Sequence, residues 1–111
     1  MLILTSPSTI TYERVEPPPL TIEEKILAEL PPVFLEIAKC ESQNRQFKED
    51  GTGLKSPTAD YGYFQINEKV WDKDAQRMGL DYKNSFDDNL AMAVHIYNIQ
   101  GLDAWVCYKL I

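Results

Sequence analysis

Asp60-Tyr61-Gly62-Tyr63-Phe64-Gln65-Ile66-Asn67 is the stretch around which the rest of the chain is arranged. Polar and apolar side chains alternate from Phe64 to Asn67, so Phe64 and Ile66 can anchor a strand while Gln65 and Asn67 face a groove. Gly62 would let the backbone pass close to a ligand. Asp60 lies two residues before that glycine. It either caps a turn or presents a carboxylate at the end of a hairpin.

Upstream, periodicity is absent from Asn44 onward. Asp50-Gly51-Thr52-Gly53 is a turn signal between Gln46-Phe47 and Leu54, which predicts a small hairpin. Ahead of it, residues 33–41 read as a helix with Phe34, Ile37 and Ala38 on one face. Glu41 falls four residues after Ile37 and seven after Phe34, and so continues the apolar stripe. Glu36 and Lys39 take the face a solvated charge would choose. A carboxylate on the buried side, near a helix C-terminus, should bind its proton more tightly than usual. That is what a general acid requires at neutral pH. On position alone the alternative stands equally well: the helix end frays and Glu41 reaches water.

The remaining pattern is helical. Thr21-Ile22-Glu23-Glu24 is a capping box that opens a short helix to about Leu30, and Pro31-Pro32 ends it and starts the next. Helical spacing resumes from Glu68 to Met78 with Gly79 as its stop. Ser85 caps a further helix with Leu90, Ala93, Val94 and Tyr97 inward, ending at Gly101. Residues 102–110 read as one more short helix. Residues 1–20 are rich in Thr, Ser and Pro, which predicts an extended arm or linker in which Thr9 to Val15 packs like a strand. The expected class is α+β, predominantly α, with a hairpin insertion after the Glu41 helix, in a domain spanning 21–111.

A length of 111 residues suits one hydrophobic core. With 44% hydrophobic and 25% charged residues the composition is that of a soluble globule. A net charge of −6 leaves no basic stripe to displace phosphate counterions, so nucleic acid is not the expected partner. The same acidity gives no long-range attraction to an anionic polymer, which must then be held by local contacts. No apolar run reaches a transmembrane length, and residues 1–4 are too short for a signal h-region. A secreted form would take its export signal from outside this sequence. Cys40 and Cys107 either form a disulfide tying the ends of the core together or stay as two buried thiols.

A helix-borne Glu and a second carboxylate facing it across a groove is the arrangement that glycoside cleavage requires. One carboxyl group is protonated toward the leaving oxygen, and the other is ionised near the oxocarbenium-like centre. Trp71 is spaced to form a sugar-stacking wall, and Trp105 with Tyr108 could form the apolar side of the Glu41 pocket.

Cys40-Glu41-Ser42, the run from Asp60 to Asn67, and Gly101-Leu102-Asp103-Ala104-Trp105 resemble successive motifs of the lysozyme superfamily. Two branches are similar: the animal c-type lysozymes and the bacterial soluble lytic transglycosylases of the SLT type. The resemblance covers roughly residues 33 to 108. It implies Glu41 as catalytic acid and Asp60 as second carboxylate. Ser42, Tyr63, Gln65, Asn67, Trp71 and Trp105 are implied in substrate binding, with Trp105 packed against the acid. It further implies an extracellular or cell-envelope location, where a Cys40–Cys107 disulfide is expected.

The chain departs from both branches. One disulfide stands where animal lysozymes carry four, and Cys107 occupies a place that branch gives to a small residue. The transglycosylase motif Ala-Tyr-Asn-Ala-Gly is absent, with Ile96-Tyr97-Asn98 a partial echo. The chain therefore looks like a compact bacterial or phage member. The implied activity is cleavage of the β-1,4 bond between N-acetylmuramic acid and N-acetylglucosamine, in peptidoglycan or with chitooligosaccharide as substrate. Its outcome is either hydrolysis or anhydro-forming transglycosylation. The alternative is a non-catalytic sugar- or partner-binding module on the same scaffold. No cofactor, no metal and a monomeric state are expected. Asp81, Asp87 and Asp88 faintly resemble a lactalbumin calcium loop but are explained by helix capping, and His95 has no ligand-like neighbour in sequence.

Overall fold

The computed structural model describes residues 16–111. The expected arm up to residue 15, with its strand-like stretch, lies outside the described residues. Residues 16–20 belong to no helix or strand and are exposed.

Helix α1 spans Ile22–Glu29 and opens with the expected capping box: Thr21 Oγ1 accepts from the Glu24 amide, and the Glu24 carboxylate accepts from the Thr21 amide. Helix α2 spans Val33–Ser42 and is stopped by Gln43, which adopts the left-handed conformation at φ 56°. After an irregular loop, strand β1 (Asp60–Tyr61) pairs antiparallel with strand β2 (Ile66–Asn67), Asp60 opposite Asn67 and Tyr61 opposite Ile66. Helix α3 spans Glu68–Met78, capped by the Asn67 side chain and stopped by left-handed Gly79. Helix α4 spans Phe86–Gln100 behind the Ser85 cap. The fold is α+β and mostly helical, with one small antiparallel sheet. Among the described residues no helix is long and apolar enough to cross a membrane.

The structure sharpens several of the expected elements. The small hairpin expected around Asp50–Gly51 forms: Asp50 Oδ1 accepts from the Thr52 amide at 3.0 Å, the Lys48 amide donates to the Thr52 carbonyl, the Leu54 amide donates to the Gln46 carbonyl, and Phe47 bridges Gly53. Phe47 is exposed, and the pairing stays at one bridge and its flanking hydrogen bonds. The two-stranded sheet pairs Asp60–Tyr61 with Ile66–Asn67, and Phe64 and Gln65, expected in the strand, lie in the turn between them because Gln65 is left-handed. The last expected helix is two 3-10 turns, Gly101–Ala104 and Val106–Leu110, separated by extended Trp105. The break lets the Trp105 indole reach inward, where Nε1–H donates to the Phe64 carbonyl at 2.9 Å. On α4 the expected inner face holds, with Leu90 and Ala93 buried and Val94 and Tyr97 packed partly buried against the core; Asn89, Met92 and Ile96 are buried beside them.

Phe34 of α2 sits at the centre of the core, edge-on to Phe64, Tyr97 and Trp105, with ring centroids 6.0, 5.3 and 4.9 Å away. Cys40 and Cys107 are joined as a disulfide, so α2 is tied to the second 3-10 turn across 67 residues of chain. By loop entropy such a closure contributes about 4 kcal/mol.

Two buried amides join the sheet to the helices. Gln46 Oε1 accepts from the Tyr63 amide and its Nε2 donates to the carbonyls of Tyr82 and Lys83. Asn89 Oδ1 accepts from the Phe64 amide at 2.8 Å, and its Nδ2 donates to Tyr61 and Tyr82 carbonyls. Gly62 lies between them at φ +79°, and a Cβ there would stand 2.3 Å from Asn89 Nδ2 and 2.5 Å from Gln46 Nε2. The expectation that Gly62 admits a ligand is therefore corrected: the close approach is by these two side chains.

Gly62→Ala is expected to cost on the order of 3 kcal/mol in urea unfolding, through clash and unfavourable φ together. Asn89→Ala, which strips the partner from the buried Phe64 amide and Tyr61 carbonyl, is expected to cost a similar amount, about 3 kcal/mol. A loss below about 1 kcal/mol for both would show that the clamp does not hold the sheet.

Candidate active site

Glu41 lies in the last turn of α2, half-buried on the side toward the sheet. Its Oε2 accepts from the Cys107 amide at 3.2 Å. Burial raises its proton affinity above that of an ordinary glutamate; the Cys107 N–H acts against this and the negative charge of Asp60 adds to it. The carboxyl group opens on a depression of about 220 Å³ whose walls include Ser42, Arg45, Lys55, Ser56 and Gln65.

Asp60 opens β1 in a different environment. Ser56 Oγ donates to its Oδ2 at 2.8 Å, the Thr58 hydroxyl donates to the same oxygen, and Asn67 Nδ2 donates to Oδ1 at 2.8 Å. Partial burial works to raise its proton affinity, but the bonds from Thr58, Asn67 and Ser56 outweigh it and hold Asp60 below the ordinary aspartate value. Asp60 faces a second depression, lined by Gln65, Asn67, Trp71, Ala104 and Trp105. Gln65 borders both.

The local backbone is bent to achieve this. Ala59 and Gln65, neither a glycine, adopt left-handed φ of 64° and 51°. Such residues carry a conformational cost that the surroundings must hold in place. For Ala59 the hold is a tight turn, its amide donating to Ser56 and its carbonyl accepting from Glu68. For Gln65 both the amide and the side-chain Nε2 donate to the Gly62 carbonyl.

The remaining expected residues divide. Gln65 and Asn67 line the Asp60 depression, as does the buried Ile66, while Phe64 is buried; the expected strand alternation does not place them, because Phe64 and Gln65 lie in the turn with Gln65 left-handed. Asn67 is doubly used: its Nδ2 holds Asp60 and its Oδ1 caps α3. Trp71 lies partly buried along the Asp60 depression with its ring edge-on to His95. Trp105 is buried and lines the Asp60 depression, whereas the walls of the Glu41 depression do not include it or Tyr108. Ser42 is buried beside Glu41, its hydroxyl bonded to the Tyr63 carbonyl at 2.7 Å and accepting from the Arg45 amide. Tyr63, expected to bind substrate, is packed in the core against Phe64 and Phe86, with its hydroxyl on Asn44; it lines neither depression. The cause is the clamp: holding Tyr63 N–H on Gln46 turns its ring inward.

Four contributors were not singled out from sequence. Gln46 and Asn89 orient the whole segment. Ser56 and Thr58 fix Asp60, and hydroxyls four and two residues before an Asp are a local signal that could have found them. The acidic residues of the 81–88 loop are used locally: Asp88 accepts from the Asp81 amide, Asp81 accepts from Asn84, and Asp87 pairs with Lys25. His95 pairs with Asp74 at 2.9 Å.

Lysozyme C-1 of Capra hircus is 36% identical over 64 residues, 49% of this chain and 50% of that protein. Lysozyme C, tracheal isozyme, of Bos taurus is 37% identical over 84 residues, 66% of this chain and 56% of that protein. The chain is similar to c-type lysozymes. It spans about half the length of the curated relatives it matches. No protein-family model and no solved structure matches the chain. A mostly helical α+β architecture with one small sheet is compatible with a lysozyme-like fold. These relatives are animal proteins, so they lend no support to a bacterial or phage source.

Because the charge of Asp60 raises the proton affinity of Glu41, Asp60→Asn is expected to lower the Glu41 midpoint in a carboxyl-carbon NMR titration. An unchanged midpoint would mean that the two groups do not sense each other.

Proposed function

We propose that this chain cleaves the β-1,4 bond between N-acetylmuramic acid and N-acetylglucosamine in peptidoglycan. The observation that carries this reading is the pair of carboxyl groups on either side of Gln65, one displaced toward its protonated form and the other toward its ionised form. Opposite displacement of two neighbouring carboxyl groups separates acid from base. The similarity to c-type lysozymes supports the same substrate class.

Glu41 gives its proton to the glycosidic oxygen as the C1–O bond breaks. Asp60, ionised, faces the positive charge that develops at C1, as a neighbouring charge or by bonding to it. Glu41, now a carboxylate, takes a proton from water as the water oxygen adds to C1, which restores both groups. Trp71 offers a face for a sugar ring, and Gln65 and Asn67 offer amides to its hydroxyl and acetamido groups. The ionised state of Asp60 favours hydrolysis over attack by the substrate's own 6-hydroxyl, the transglycosylase outcome. The intact disulfide supports an extracellular setting.

Glu41→Gln should reduce turnover of purified peptidoglycan on the order of a thousandfold while leaving the thermal midpoint near wild type. Mass spectrometry of the wild-type digest should show muropeptides with free reducing ends. Predominantly 1,6-anhydro ends would refute the hydrolytic outcome, and turnover retained by Glu41→Gln would refute the reading as a whole.

A further inference from the structure

The disulfide brackets the proposed acid. Cys40 immediately precedes Glu41 in α2, and its partner Cys107 presents its own backbone N–H to Glu41 Oε2 at 3.2 Å. The two Cα atoms are 5.9 Å apart, so the cross-link and the hydrogen bond close a small ring of contacts around one carboxyl group. Cys107 belongs to a short 3-10 turn in which Val106 and Leu110 are 72% exposed, so the turn is held to the body by Tyr108, which packs on the core, and by the buried cross-link at Cys107. We infer that the Cys40–Cys107 disulfide is a positioning element for Glu41, keeping the Cys107 amide on Oε2 so that the acidic proton resides on the oxygen facing the groove.

The inference rests on the proposed role of Glu41 but concerns a contact that can be read without catalysis. With one oxygen committed to an N–H donor, the other is left to carry the proton into the depression. A fixed donor also limits how far burial can raise the proton affinity of the acid, because it stabilises the ionised form produced after protonation of the leaving group. The other charges near Glu41 are Asp60 of the sheet and Arg45 and Lys55 on the walls of the depression. On the elements joined by the disulfide, Glu36, Lys39 and Lys109 are exposed. Cys40 is exposed as well, so a small dithiol can reach the bond. Exchange with that dithiol would yield two protein thiols and the oxidised, cyclic form of the reagent.

The test compares the oxidised wild type with Cys40→Ala/Cys107→Ala and with dithiol-reduced wild type, at a temperature where circular dichroism shows each to be folded. Loss of the donor should raise the Glu41 carboxyl midpoint in an NMR titration. It should lower kcat about tenfold with KM within about twofold, as expected when an acid loses its orientation rather than substrate its site. A reduced thermal midpoint with an unmoved Glu41 titration would overturn the inference, leaving the disulfide a staple only. A second measurement needs no variant: in the oxidised wild type the Cys107 amide proton shift should follow pH with the same midpoint as the Glu41 carboxyl. An amide shift that is flat across that range would also overturn it. An inactive wild type would remove the proposed function and leave these titrations as valid readouts of the contact.

Discussion

The structure depends on two buried side-chain amides, Gln46 and Asn89, closing on the backbone around Gly62. Asn89 has no solvent exposure, and its oxygen and nitrogen are both engaged with the Tyr61–Phe64 backbone. Gln46 Oε1 accepts from the Tyr63 amide of the same segment, and its Nε2 donates to the Tyr82 and Lys83 carbonyls. A two-stranded sheet of four residues cannot hold itself in water. Here its backbone groups are instead satisfied by side chains from α4 (Asn89) and from the loop after α2 (Gln46), and no buried side-chain polar atom among the described residues lacks a partner. In a low-dielectric interior a fully paired network of this kind is rigid, and losing one member exposes the others to an unpaired state. That rigidity is transmitted outward, to Ala59 and Gln65 in left-handed conformations and to the carboxyl groups between which Gln65 lies.

A second set of contacts braces the same sheet from α3. Lys83 is ion-paired with Glu68 and lies 4.6 Å from the Tyr61 ring centroid, while the Tyr82 hydroxyl donates to Asp72. The Tyr82 hydroxyl holds its proton more strongly than a free tyrosine, through burial first and then this bond to Asp72. The groove is thus fixed on one side by covalent closure through the disulfide and on the other by amides and an ion pair. For an acidic protein of net charge −6, Arg45 and Lys55 on the groove wall supply local positive charge that the overall field does not.

The helical frame was legible in sequence because its signals are local. Thr21 and Ser85 cap helices and Gly79 stops one, as single side chains and single φ values can; the cap that Asn67 gives α3 was not read from the sequence. The position of Glu41 was legible for the same reason, since helical spacing alone sets its face. The partition between groove and core beyond it was not. Tyr63 and Gln65 are near neighbours in one run, yet Tyr63 turns inward and Gln65 outward because Gln46 and Asn89, 17 and 25 residues away in sequence from the groups they bind, dictate the backbone path. A glycine reads the same whether it accommodates a ligand or a buried amide. The break at Trp105 was likewise hidden, because the carbonyl that its indole seeks belongs to Phe64, 41 residues earlier.

The central claim is that one protein environment pushes Glu41 toward its acid form and Asp60 toward its anion. The pH dependence of kcat/KM on soluble glycan strands, at constant ionic strength, tests it most directly. The account requires a bell with its acidic limb below 3.8, the ordinary aspartate value, and its alkaline limb above 4.5, the ordinary glutamate value. A profile in which activity keeps rising through neutral pH, with no alkaline limb, would contradict the assignment of Glu41 as the acid.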